Sequence, residues 1–251
     1  MLKSGNDAAV TIAEYLGGSI DAFALLMNKR AREIGAKNTN FVNPHGLDAE
    51  GHYTTAYDLA LIAREAMKND KFREIVSTKT YSIPMQGENW DRALKNHNKL
   101  LWQYEGCIGI KTGYTKKCGR CLVTSAERDG KLICVTLNAP DDWNDHKKLL
   151  DMGFSDYKKE QVYKKGERVT KYIYDKKKNK SVPLVSKEEI SVMKKENEKL
   201  EIKIEYKKAK PPIKKNTVLA VAHIFIDGNR ILEMPLVNNK EVKKTGNVLF
   251  K

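Results

Sequence analysis

No stretch of 18 consecutive apolar residues occurs in the 251-residue chain, so no continuous run can form a transmembrane helix. The opening residues, Met1 to Asn6, lack the basic and apolar regions of a signal peptide. Cysteine is scarce, with four residues: Cys107, Cys118, Cys121 and Cys134. Cys118 and Cys121 form a C-x-x-C, but Cys107 and Cys134 do not make the second pair of a structural zinc site. All four are therefore expected to be small buried residues, with no metal or redox site. No internal repeat occurs.

What is present suits a folded protein of one large domain or two smaller ones, 41% hydrophobic and 31% charged. The net charge is +14. It is unevenly placed. Residues 1–155 carry 21 Lys and Arg against 19 Asp and Glu, whereas residues 156–251 carry 25 against 13. The basic excess thus belongs to the C-terminal part. Such a surface suits a membrane, an anionic wall polymer or nucleic acid, and equally a solvated lysine-rich face.

The pattern predicts helices over Asp7–Leu16, from a Ser19 cap to Gly35, from a Thr54 or Thr55 cap, and around Phe72–Val76. Thr55 with Asp58 resembles a capping box. From Lys79 the period shifts toward two. Residues 106–114 read as a glycine-rich strand. Residues 119–138 read as a hairpin turning at Asp129-Gly130. A closing helix spans Asn144–Tyr157. Beyond it, strands are predicted at Val169–Tyr174, Ile202–Tyr206, Val218–Ile226 and Arg230–Leu236. Residues 186–200 are expected as a short helix or an exposed loop. The predicted domains are 1–157, with helices and an antiparallel sheet, and 158–251, small and all-β.

Two tripeptides stand out, Ser4-Gly5-Asn6 and Lys111-Thr112-Gly113. Each alone has a bland explanation. Ser4 and Asn6 suit a helix cap, and Lys111 suits the surface. A second Lys-Thr-Gly at Lys244–Gly246 lies in the lysine-rich tail and is taken as chance. The first copy ends a glycine-rich strand and precedes a hairpin.

In chain order, the two tripeptides match the second and third motifs of the serine penicillin-binding enzymes. The segments SGNDAAVTIAEYLGGS, FVNPHGLDAEGHYTTAYDLALIA, NHNKLLW and GIKTGYTKKCGRCLVTSA resemble the low-molecular-weight D-alanyl-D-alanine carboxypeptidases. The resemblance covers most of residues 1–157 and, more weakly, the β-rich remainder. It implies an α+β fold: a β-lactamase/transpeptidase-like domain, with antiparallel sheet and helical lobe, followed by a small all-β domain.

The implied activity is removal of the terminal D-alanine of peptidoglycan pentapeptides through an acyl-serine intermediate. It serves cell wall biosynthesis and cell shape on the extracytoplasmic face of the membrane. β-Lactams would inhibit covalently, and no cofactor or metal is implied. The basic domain would lie near membrane or anionic wall polymer, with no nucleic acid partner. By resemblance, Ser4 passes a proton toward the departing D-alanine, and Asn6 positions the substrate amide. Lys111 and Thr112 hold the substrate carboxylate. Gly113 admits the substrate backbone, and the Tyr114 N–H is an oxyanion donor. His97 is placed near the cleft. The other histidines are taken as structural or surface residues.

The family's S-x-x-K motif precedes S-x-N, but only three residues precede Ser4. The two S-x-x-K strings, at Ser155 and Ser191, come after Lys-Thr-Gly and are rejected as nucleophiles. The nucleophile is expected outside this chain, with an N-terminal part of the catalytic domain missing and Met1 an internal methionine. Exposed apolar faces, instability and inactivity of the isolated chain are expected. No apolar anchor precedes Lys251. The alternatives are a non-catalytic peptidoglycan-peptide-binding remnant, and a β-lactamase or transpeptidase of the same superfamily.

Overall fold

The computed structural model describes residues 1–244. The chain divides into two compact units, Met1–Ser155 and Asp156–Lys251. The second Lys-Thr-Gly lies largely outside the described residues.

The first unit opens with α1 (Asn6–Gly17) and α2 (Ile20–Glu33). Gly18, at φ +80°, turns the chain between them. Ser19 caps α2 by accepting from the Ala22 N–H at 3.1 Å. These helices bury little beyond Ala13, Ala24, Asn28 and Ala31, and leave Ile12, Tyr15, Leu16, Leu25 and Leu26 exposed. The apolar faces expected from the sequence are thus open.

Helices α3 (Ala56–Ala66) and α4 (Asp70–Ser77) follow. Thr55 caps α3 through the Asp58 N–H at 3.1 Å. The capping box is not completed. The buried Asp58 carboxylate instead accepts from the Asn38 N–H at 2.6 Å and the Thr39 hydroxyl at 2.8 Å. Tertiary partners outcompete the local one, and the bonds tie α3 to the preceding loop.

A hairpin of β1 (Thr80–Pro84) and β2 (Asp91–Lys95) leads to the short α5 (Leu100–Gln103). Then β3 (Cys107–Thr115), β4 (Gly119–Glu127) and β5 (Lys131–Thr136) form an antiparallel sheet in that order, and α6 (Asp142–Asp156) closes the unit. One sheet face, with Leu122, Ala126 and Cys134, packs on Leu100, Tyr104 and Leu150. The other packs Ile110, Val123 and Ile133 on Ala63, Val76 and Phe72. The sheet is therefore a middle layer, with α5 and α6 on one side and α3 and α4 on the other. Each fully buried leucine there contributes roughly 1.5–3 kcal/mol.

In the second unit, β6 (Tyr157–Tyr163), β7 (Arg168–Asp175), β8 (Lys180–Ser186), β9 (Ile190–Lys195), β10 (Leu200–Tyr206), β11 (Val218–Ile226) and β12 (Asn229–Asn238) build two sheets. The larger has the order β10-β11-β12-β8-β7, and β6 pairs with β9. Alternation in β11 buries Ala220, Ala222, Ile224 and Ile226. The segment expected as a helix or loop over 186–200 instead contains β9. Val192 packs on Ile224 and Ile226, so core burial outweighs the polar composition around it. Among the described residues, no single helix is long and apolar enough to cross a membrane.

Candidate active site

Among the described residues, β3 is an edge strand of its sheet, with β4 as its one sheet neighbour. Its outer side therefore offers backbone groups to an extended ligand. The register sets Lys111 opposite Val123, Thr112 opposite Leu122, Gly113 opposite Cys121 and Tyr114 opposite Arg120. Gly109, at φ +132°, anchors the strand: an added Cβ would meet Val76 Cγ2 at 2.8 Å.

Lys111 donates from Nζ to Ser4 Oγ at 2.7 Å, and also contacts the Thr112 carbonyl oxygen. Burial lowers the Lys111 ammonium below its ordinary value. Ser4 has φ +53°, an uncommon backbone for a residue with a side chain, stabilised by its N–H bond to the Met1 carbonyl at 3.0 Å. The N-cap of α1 is Gly5, with no side-chain cap bond, so neither Ser4 nor Asn6 caps that helix.

A cavity of about 280 Å³ is lined by Ser4, Thr112, Gly113 and Tyr114, together with His97 and Arg120, and by Asp142 and Trp143 at the start of α6. Asn6, the first residue of α1, does not line it. Ser155 ends up in α6 and Ser191 in β9, and neither lines it. His97 borders it because its neighbours Asn96 and Asn98 are buried and bonded. The Asn96 amide donates to the Thr78 carbonyl at 3.0 Å, and its oxygen accepts from the Asn98 N–H at 2.9 Å.

Arg120, Asp142 and Trp143 carried no motif signal. Arg120 donates to Asp142 Oδ1 at 2.7 Å, and its guanidinium lies 5.5 Å from the Trp143 ring centre. Asp142 is nearly fully buried, so this pair holds a guanidinium at the cavity wall. An Asp-Asp-Trp cluster before a predicted helix was the available sign.

The loop that precedes α3 is also tied to the site. Asn43 accepts from the Gly46 N–H at 2.7 Å, and Asp48 accepts from the Thr115 hydroxyl at the end of β3 at 2.8 Å. Cys118 departs from expectation: it is exposed, because the turn from Lys116 to Cys118 lifts it to the hairpin tip. Cys134 is buried, and Cys107 and Cys121 are half-buried. Among the described residues, no group of three or more His, Cys, Asp or Glu gathers as a metal site.

The first unit thus has a transpeptidase-like fold with a site along one strand edge, and the second is all-β. The family described as D-alanyl-D-alanine carboxypeptidase matches residues 1–141, and the penicillin-binding protein 5 C-terminal domain matches 157–244. The chain belongs to the D-alanyl-D-alanine carboxypeptidase family.

D-alanyl-D-alanine carboxypeptidase DacF of Bacillus subtilis is 38% identical, over 99% of this chain and 66% of that protein. DacC of Escherichia coli is 33% identical, over 98% of this chain and 62% of that protein. The chain therefore spans just under two thirds of these relatives. The crystal structure of penicillin-binding protein 5 from Haemophilus influenzae superposes with a TM-score of 0.71 at 29% identity, covering 96% of this chain and 72% of that one.

Proposed function

We propose that the protein carrying this chain is a serine D-Ala-D-Ala carboxypeptidase that removes the terminal D-alanine of peptidoglycan pentapeptides. The observation that carries this is the 2.7 Å bond from Lys111 to Ser4 beside a cavity on the free edge of β3.

In this reading the substrate lies extended along β3. Gly113 leaves room for it. An added Cβ there would make only ordinary contacts with Cys121, at 3.8 Å, so the fold itself does not demand glycine. The Thr112 hydroxyl and Lys111 hold the terminal carboxylate; Asn6, which does not line the cavity, is assigned no contact with the substrate. The Tyr114 N–H stabilises the oxyanion. As the C–N bond breaks, Ser4 gives its hydroxyl proton to the leaving amine and recovers one from Lys111. Desolvation makes Lys111 a readier proton donor than a surface lysine.

No serine within residues 1–251 serves as nucleophile here; an S-x-x-K helix from the rest of the protein supplies it. The chain by itself is then inactive. β-Lactams acylate the same serine in the intact enzyme. The protein works on the extracytoplasmic face of the membrane, in the cell wall. Its second unit faces membrane or anionic wall polymer. What supports this last point is a cleft of about 530 Å³ bordered by Lys171, Lys176, Lys207, Lys208, Tyr172 and Tyr206.

Fluorescent penicillin tests the proposal. A chain extended by an N-terminal S-x-x-K segment should label covalently and release D-alanine from a pentapeptide, and residues 1–251 alone should do neither. A folded, extended chain that binds the peptide without labelling or turnover would make this a peptidoglycan-peptide-binding protein.

A further inference from the structure

We propose that Cys118 and Cys121 form a thiol–disulfide exchange site that latches the turn at the end of the Lys111-Thr112-Gly113 strand. This rests on the geometry of the turn and not on the proposed activity. Both thiols are free, and their sulfurs stand 3.9 Å apart. A disulfide bond is about 2.05 Å long, so the two need approach by only about 2 Å.

The backbone supports that approach. Thr115 pairs with Gly119 across a turn of three residues, Lys116 to Cys118. Gly119 has φ +67°, and an added Cβ would lie 2.2 Å from Asn138 Oδ1. This glycine turns the chain so that the exposed Cys118 and the half-buried Cys121 come together. The Cys118 N–H also bonds Thr115 Oγ1 at 3.0 Å, while Thr115 donates to Asp48. Cys121 sits opposite Gly113, and Arg120 sits opposite Tyr114. The latch is therefore one residue pair from the groups that border the cavity.

The chemistry is asymmetric. Burial raises the Cys121 thiol, as does the neighbouring Cys118. Cys118 is the accessible sulfur, and its thiolate attacks an external small-molecule disulfide. One thiolate leaves and a mixed disulfide forms on Cys118. Cys121 then loses its proton to solvent and attacks Cys118 Sγ, expelling the second thiolate. Two protein thiols are oxidised and one external disulfide is reduced to two thiols, which take up the two protons. Cys134 is different: burial lifts its thiol to about 11, which keeps it a thiol at neutral pH.

Equilibration of the full chain with reduced and oxidised glutathione, followed by alkylation and trypsin digestion, reads this out. Trypsin cuts after Lys117, Arg120 and Arg128, so the disulfide joins Cys118–Arg120 to Cys121–Arg128 as one mass that separates on reduction. That linked mass should become the main form under oxidising conditions, and Cys118→Ser should abolish it. The same oxidation in urea gives the reference: pairing of Cys118 with Cys121 should predominate more in native buffer than in urea. Cysteines that remain alkylatable, stop at separate glutathione adducts, or pair as randomly in buffer as in urea would overturn the proposal.

Discussion

Lys111 and Ser4, 107 positions apart, meet across 2.7 Å, with the lysine donating to the serine oxygen. The lysine comes from a sheet edge, the serine from a turn before a helix. The two motifs, far apart along the chain, meet only in the folded first unit.

This pairing sets a pH limit. Burial lowers Lys111 below its ordinary 10.5, so the cation is lost at a lower pH than in a surface lysine. In the intact enzyme, kcat/KM should fall on the alkaline side with a midpoint below 10.5. Lys111→Ala should lower kcat/KM by roughly 10²–10⁴-fold and remove that limb. A pH–rate profile of both proteins checks this; an unchanged limb in the variant assigns it to another group.

Gly113 separates folding from binding. Because a Cβ has room there, Gly113→Ala should leave thermal stability nearly unchanged. Displacing an extended ligand from the strand edge should slow penicillin acylation about a hundredfold. Thermal melts and acylation rates of the intact protein decide it. A variant that melts early but acylates normally would give Gly113 a structural role instead.

Arg120 and Asp142 form an unequal pair, with side chains 39% and 3% exposed. Arg120→Ala strands a buried carboxylate and should cost on the order of 3 kcal/mol at neutral pH. Asp142→Asn in that background should recover part of the loss. Urea unfolding of the two single variants and the double variant gives the coupling; strict additivity would show that the pair does not act as one unit.

His146 predicts an acid-sensitive fold. It is fully buried between the hydroxyls of Thr124, at 2.8 Å, and Thr136, at 3.0 Å. Burial pushes its pKa down from 6.5 to about 4. The unfolded chain therefore binds the extra proton first as pH falls. The stability is present above 6.5 and is lost progressively down to about 4, by on the order of 3 kcal/mol. Urea midpoints across this range should show the loss, and His146→Gln should flatten it. An equally steep slope in the variant would move the effect to the carboxylates.

The sequence by itself determined the family, through two tripeptides set in long matching segments, and most of the first unit. Ser19 and Thr55 could be read as caps because capping is local: a hydroxyl bonds an N–H three residues on. The hairpin from β4 to β5 was legible from alternation and Asp129-Gly130, and β11 and β12 from the strand patterns over Val218–Ile226 and Arg230–Leu236.

Tertiary structure alone decided the rest, because it depends on contacts between distant residues. Asp58 turned from its own cap to Asn38 and Thr39. The charged stretch around Val192 became a strand because the opposing sheet buried one side of it. Arg120 and Asp142 reached the cavity wall from a strand and a helix that share no motif. Cys118 was lifted into solvent by a turn whose shape depends on Gly119. Local bonds follow from neighbouring residues, whereas burial and charge pairing follow from which surfaces the whole chain brings together.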